Sequence, residues 1–188
     1  MAEITGLLLA AGASRRFGSN KLLALYRQRP LVLHSAAALS PCHRIIAVIR
    51  PDDRELQQVL QAAGIETLIN QQAGAGMGAS IGCGVSASAG SDGWCILPAD
   101  IPNVPAGITA RIVTALADGA ALAAPFHAGR RGHPVGFARR FAAALQSLQG
   151  DHGARDIVAQ HAPELVPLHT GSEGIFQDID TPQQLSRY

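Results

Sequence analysis

Aromatic side chains make up only 4% of the 188 residues, and Lys and Arg never gather into a long basic run. A nucleic-acid strand asks for a cationic track and for rings on which bases stack, so no nucleic-acid partner is expected. Cysteine is scarce as well. Cys42, Cys83 and Cys95 are odd in number and stand in no CxxC spacing, which excludes a disulfide framework and a thiolate zinc site and leaves them as small apolar residues for the interior. Long hydrophobic runs are also missing. The start, Met1-Ala2-Glu3-Ile4-Thr5, has no basic n-region, and the apolar stretch behind it is broken at Gly12. That stretch is too short for a membrane span and lacks a signal-peptide layout, so the expectation is no membrane partner and a cytoplasmic location. What is present suits a globular enzyme with many tight loops: 47% hydrophobic residues, 15% charged residues, 20 glycines and a formal net charge of +1. The length is that of one domain, expected to run over 1–188 without repeat or linker.

Short apolar runs alternate with amphipathic segments from end to end, the pattern of crossover helices joining strands of a mostly parallel sheet. It predicts strands over 4–9, 45–49, 67–69, 94–97 and 121–126, then a hairpin turn over 129–132 and an antiparallel return over 133–137. Two further short strands are expected near 165–168 and 175–178. Helices are expected around 33–39, after a cap at Asp52 or Asp53 with Leu56, Val59, Leu60 and Ala63 on one face, and over 79–89. Others follow through Ile108, Ile112, Val113 and Leu116, over 141–148, over 154–161, and after Thr181. The expected class is α/β: three layers, α/β/α, around a mostly parallel Rossmann-like sheet that carries an antiparallel strand.

Directly after the first strand comes Leu8-Leu9-Ala10-Ala11-Gly12-Ala13-Ser14-Arg15-Arg16-Phe17-Gly18-Ser19-Asn20-Lys21. Doubly wound sheets bind ligands at this edge, outside the carboxyl ends of their strands. Ala10, Ala11 and Gly12 leave backbone N–H groups unshielded for phosphate oxygens, while Arg15 and Lys21 can neutralise a triphosphate. The glycine spacing is neither GxGxxG nor GxxxxGK[ST], which sets aside a dinucleotide-dependent oxidoreductase and a P-loop enzyme. Pro98-Ala99-Asp100-Ile101-Pro102 puts a carboxylate just past a buried strand, where it can reach Mg²⁺, although Asp serves equally as a turn or helix-capping residue. Asp180, in Asp178-Ile179-Asp180-Thr181-Pro182, is a second candidate ligand or the cap of the helix beginning near Pro182. Gly76-Met77-Gly78-Ala79-Ser80 opens a helix whose unshielded N–H groups and hydroxyl can meet a base edge or phosphate, and Ser80 also suits an ordinary N-cap. Arg130-Arg131-Gly132-His133-Pro134 and Asp151-His152-Gly153-Ala154-Arg155 combine cationic or imidazole groups with turns. A solvated hairpin tip accounts for Arg130 and Arg131 nearly as well. His34, His43, His127, His161 and His169 lack metal-ligand spacing and are read as structural or surface groups.

With Gly132-His133-Pro134-Val135-Gly136-Phe137 and Gly150-Asp151-His152-Gly153-Ala154-Arg155, these blocks occur in an order that resembles the MobA-like nucleotidyltransferases over nearly the whole chain. That family also contains the molybdenum cofactor cytidylyltransferases. The resemblance implies a nucleotide-diphospho-sugar transferase-like version of the sheet and Mg²⁺-dependent transfer of a nucleoside monophosphate from an NTP to a phosphorylated acceptor. By that resemblance Leu9, Ala10, Ala11, Gly12, Ser14, Arg15 and Lys21 hold the nucleotide, with Asn70, Gly78 and Ser80 at the nucleobase and ribose. Arg15, Lys21 and Asp100 are the implied catalytic residues, Asp100 and Asp180 the metal ligands, and His133 and Arg155 the acceptor contacts. Members that transfer GMP to molybdopterin tend to have a second glycine where this chain has Ala11, whose methyl would narrow the base site in favour of a pyrimidine. CTP and molybdopterin are therefore the expected substrates, with a molybdenum hydroxylase as recipient of the product. The alternatives are a GTP-using guanylyltransferase, a sugar- or polyol-phosphate nucleotidyltransferase with a similar loop, and, from another class, a carrier that delivers the pterin cofactor without catalysis.

Overall fold

A computed structural model describes residues 2–12, 17 and 20–185. Its strands are β1 (Ile4–Leu9), β2 (Leu25–Tyr26), β3 (Arg29–Pro30), β4 (Arg44–Ile49), β5 (Glu66–Ile69), β6 (Gly93–Pro98), β7 (Leu122–His127), β8 (Arg130–Arg131), β9 (Val135–Ala138) and β10 (Leu165–His169). The helices are α1 (Leu31–Ala38), α2 (Arg54–Ala62), α3 (Met77–Ala87), α4 (Ala106–Ala117), α5 (Ala142–Gln146), α6 (Arg155–Gln160) and α7 (Pro182–Leu185). One sheet runs β10-β7-β9-β6-β1-β4-β5, with β8 added along β7. β1 lies parallel to β4 and β6, β4 to β5 and β10 to β7, whereas β9 is antiparallel to both β6 and β7. This is the expected mostly parallel α/β sheet with an antiparallel insertion.

Alternation along the central strands explains the layers, because successive strand residues face opposite sides of a sheet. Leu8 of β1, Ala47 of β4, and Cys95 and Leu97 of β6 pack in one cluster with Leu31 and Leu39, Leu56 and Leu60, and Ile108 and Ile112, which belong to α1, α2 and α4 or their ends. Leu7, Ile46, Trp94 and Ile96 face the other way and join Ile81 and Val85 of α3, Leu145 of α5, and Ile157 and Val158 of α6. The three layers follow. Burial on both faces is why these strands read as continuous apolar runs.

Local chemistry sets the ends. Asp53, rather than Asp52, caps α2, its Oδ1 accepting from Leu56 N at 3.3 Å. The turn at Ala128 and Gly129, both at positive φ, sends β8 back along β7. Around residues 175–178 the structure departs from the expected strand: Glu173–Phe176 is a 3-10 turn. Ser172 Oγ caps it by accepting from Gly174 N at 3.2 Å, and Gly174 presses so closely on the Asn103 backbone that a side chain would have no room. The remaining edge contact there is a single bond from His133 N to Ile175 O at 2.7 Å. The small β2–β3 hairpin was not expected from sequence, since Arg27 and Gln28 take its left-handed turn in place of glycine or asparagine.

Candidate active site

The carboxyl ends of β1 and β6 emerge side by side, because Leu9 is in register with Pro98 and Ala99 N donates to Leu9 O at 3.1 Å. That pairing sets Ala11 and Gly12 in the same cleft as Asp100, a cavity of about 380 Å³ lined also by Leu9, Arg50, Gly76, Met77 and Ser80. Lys21 enters from a 3-10 turn fixed by Asn20. The Asn20 carboxamide oxygen accepts from Leu22 N at 3.2 Å and its amide nitrogen donates to Asp53 Oδ2 at 2.7 Å.

The Lys21 ammonium donates to Asp100 Oδ2 at 2.8 Å and to Asp180 Oδ1 at 2.6 Å, with the lysine side chain only 11% exposed. Burial alone would lower its pKa, but Asp100 and then Asp180 outweigh that and hold it above the usual 10.5. Asp178 stands close by; burial first, then Asp180 and Asp100, push its carboxyl above 3.8. The 178–180 segment is tied down by Ile179 N donating to Asp100 O at 2.9 Å. Capping at the start of α7 falls to Gln184, whose Oε1 accepts from Asp180 N and Thr181 N at 2.7 and 2.8 Å. The Asp180 carboxylate is thereby turned to Lys21.

One cation bound by two carboxylates marks a donor set that fits a divalent ion. Mg²⁺ and its relatives favour one or two carboxylates completed by phosphate oxygens and water. Among the described residues no group of three or more His, Cys, Asp or Glu is placed to hold a metal ion.

A second cavity of about 260 Å³ opens from the first across Leu9, Met77, Pro98 and Asp151, which line both. Its walls include Ile96, Phe137 and Val158, and its polar groups Arg131, His133 and Arg155. His133 Nδ1 is buried with no hydrogen-bond partner. Burial, reinforced by Arg131, lowers the His133 pKa to about 4 against the pull of Asp100 and the Ile96 backbone. Burial and the neighbouring Arg155 also lower the Arg131 pKa.

Of the residues singled out in the sequence, Leu9, Ala11, Gly12, Ser80 and Asp100 therefore meet in the first cleft, Lys21 and Asp180 at its edge, and His133 and Arg155 in the adjoining cavity. Ala10 is buried behind the cleft, with its N–H donated to Val48 O at 2.9 Å. Ser80 lies one turn inside α3, whose cap is Gly76, and its Oγ accepts from Asn70 Nδ2 at 3.1 Å. Asn70 itself faces a neighbouring depression with Gln146 and Gln149. Gly78 turns to the same side: a Cβ there would come within 2.8 Å of Gln149 N, and Gly78 N donates to Gly150 O at 2.8 Å. Ser14 and Arg15 lie outside the described residues. Sequence reasoning passed over Arg50 and quoted Asp151 only as part of a block, with no role of its own. The signal for Arg50 was its place just past β4, at the same sheet edge as Gly12.

A family model described as "MobA-like NTP transferase domain" matches residues 6–165. The chain is 30% identical to "Nicotine blue oxidoreductase" of Paenarthrobacter nicotinovorans, over 98% of this chain and 95% of that one. It is also 30% identical to "Probable molybdenum cofactor guanylyltransferase" of Deinococcus radiodurans, over 99% of this chain and 94% of that one. Among solved structures, Rv0371c from Mycobacterium tuberculosis H37Rv superposes with a TM-score of 0.86 at 22% identity, covering 99% of this chain and 97% of that one. Rv0371c has also been solved as a complex with manganese, and there the TM-score is 0.79 at 20% identity, over 98% of this chain and 97% of the other.

Proposed function

The chain belongs to the MobA-like NTP transferase family, and from that premise we propose that it transfers CMP from CTP to molybdopterin with the help of a divalent metal, releasing pyrophosphate. The observation that carries this reading is the Lys21 ammonium bound by both Asp100 and Asp180 at the mouth of two joined cavities. A phosphate oxygen of the acceptor attacks the α-phosphorus of the nucleotide, the bond to the bridging oxygen breaks, and pyrophosphate leaves with the electron pair. No protein nucleophile takes part, so the chain's work is positioning and charge neutralisation. Asp100 and Asp180 would hold the metal, which supplies positive charge to the triphosphate. Lys21 and Arg15 neutralise the triphosphate and the departing pyrophosphate. The N–H groups along Ala11 and Gly12 orient phosphate oxygens, and His133 and Arg155 contact the acceptor.

Ala11 lines the first cleft, and its methyl supports the pyrimidine choice over the GTP suggested by the name of the Deinococcus relative. The oxidoreductase name of the other relative is not carried over, because the loop after β1 lacks the GxGxxG spacing of a dinucleotide site. The test is pyrophosphate release by the purified protein with Mg²⁺ and CTP, GTP, UTP or ATP, with and without molybdenum-loaded molybdopterin. CTP-selective release that requires the pterin is the expected result. GTP-selective release replaces the nucleotide, and tight pterin binding without any release replaces the enzyme with a carrier.

A further inference from the structure

Arg131 has no role in the reading above, and its surroundings give it one. It ends β8, where neighbouring residues point to opposite sides of the strand. Arg130 stacks over the Phe176 ring at 4.1 Å, and Arg131 faces the second cavity. The backbone there is held firmly. Phe126 pairs with Arg131, Gly132 N donates to Pro125 O at 2.9 Å, and a Cβ on Gly132 would come within 2.5 Å of Ile175.

Two guanidiniums line the cavity, Arg131 half-buried and Arg155 exposed, among mostly apolar residues. Among the described residues neither has a side-chain hydrogen bond or a carboxylate within ion-pair distance. Asp151, which lines both cavities, pairs with neither. Beside them is the buried Nδ1 of His133 without a partner. A half-buried guanidinium with a second positive charge beside it, and an orphaned buried nitrogen, are costly unless something completes them. The group that completes all three is an oxyanion with several acceptor oxygens, since guanidinium forks match phosphate bidentately.

We infer that Arg131, together with Arg155, grips a phosphate monoester carried on an apolar body, and that the His133 imidazole adds a hydrogen bond to the same ligand. This rests on the reading of the second cavity as the acceptor side and names Arg131 as the residue that selects an anionic acceptor there.

The experiment uses the full chain and phenyl phosphate as probe, with binding followed by calorimetry. Wild-type protein is expected to bind it, and benzyl alcohol, which has the apolar body without the charge, at least about tenfold more weakly. Arg131→Ala should weaken phenyl phosphate by about tenfold while leaving the affinity for CTP with Mg²⁺ within about twofold, because Arg131 lines the second cavity and not the first. Arg131→Lys should recover part of the loss, and Arg130→Ala, whose side chain stacks on Phe176, should change nothing. Thermal unfolding of each variant separates loss of contact from loss of fold. Failure of the wild type to bind phenyl phosphate, equal binding of benzyl alcohol, or unchanged binding by a folded Arg131→Ala protein overturns the inference. Should no nucleotide bind while the Arg131 result holds, the transferase reading fails and this one stands.

Discussion

The two cavities are out of charge balance in opposite directions. Around Lys21 three carboxylates, Asp100, Asp178 and Asp180, face one ammonium. In the adjoining cavity Arg131 and Arg155 stand without a paired carboxylate, beside a histidine kept neutral by its burial. The charge of the first region suits a cation and that of the second an anion. The first region is also stitched together by its own charges, whereas the second is held by backbone packing at Gly132 and β9. Removing a charge should therefore damage the two regions differently.

The largest effect is expected from Lys21→Ala or Asp100→Ala, each lowering pyrophosphate release by about 10²–10³-fold, the scale of losing one preorganised charge at a reacting centre. Circular dichroism of the variants should match the wild type, and a rate within a few-fold of wild type would remove Lys21 and Asp100 from the machinery. Next comes Gly76, which lines the first cleft and touches the segment that leads into the second. It sits at φ 101°, and a Cβ would come within 2.5 Å of the Gly150 carbonyl. Gly76→Ala should destabilise the fold by about 2 kcal/mol or more, from backbone strain and overpacking together. Urea unfolding measures it, and a neutral result would mean that the 150–151 segment yields to make room.

Those two effects also mark what could be read without coordinates. The placement of Leu9, Ala11, Gly12, Lys21 and Asp100 was legible because they are near in sequence to buried strands whose carboxyl ends must meet at one edge of a parallel sheet, whereas Ala10 is buried behind that edge. The α/β class was legible for the same reason, through the alternation of strand and helix. Gly76-Met77-Gly78 was read as a ligand-binding helix start, yet Gly78 N is spent on Gly150 O and its Cα on Gln149. A glycine chosen for close packing and one chosen for phosphate look alike until the facing chain is known. Arg131 was hidden more deeply, because only the β7–β8 pairing decides which of two adjacent arginines faces inward. The strand expected over 175–178 failed at Gly174, whose contact with Asn103 comes from a loop 71 residues earlier.

A smaller effect tests the neutral histidine of the second cavity. The folded pKa of His133 is about 4 against 6.5 for an ordinary imidazole. Because the folded value is depressed, burial of the neutral ring is fully tolerated above pH 6.5. Stability is then lost as pH falls from 6.5 to about 4, at up to about 1.4 kcal/mol per pH unit. Urea midpoints of the wild type and of His133→Gln across that window should converge or cross as the pH drops. Parallel curves would show that His133 gains a proton in the fold as readily as in the unfolded chain.

The smallest expected effect bears most directly on the imbalance around Lys21. Asp178 is an exposed residue whose carboxyl is pushed above 3.8 by burial of its charged group and by Asp180 and Asp100. A raised carboxyl pKa favours the folded state at low pH, and that advantage is lost as pH rises through the raised value, so at neutral pH the ionised Asp178 works against the fold. Asp178→Asn should stabilise the metal-free protein at neutral pH, by no more than about 0.5 kcal/mol after solvent screening. Saturating Mg²⁺ or Mn²⁺ should shrink or reverse the gain, since a bound cation turns the third carboxylate from a source of repulsion into a source of attraction. Thermal unfolding with and without the metal reads both states. An identical gain in the two would mean that Asp178 acts through packing and that the cluster around Lys21 does not await a cation.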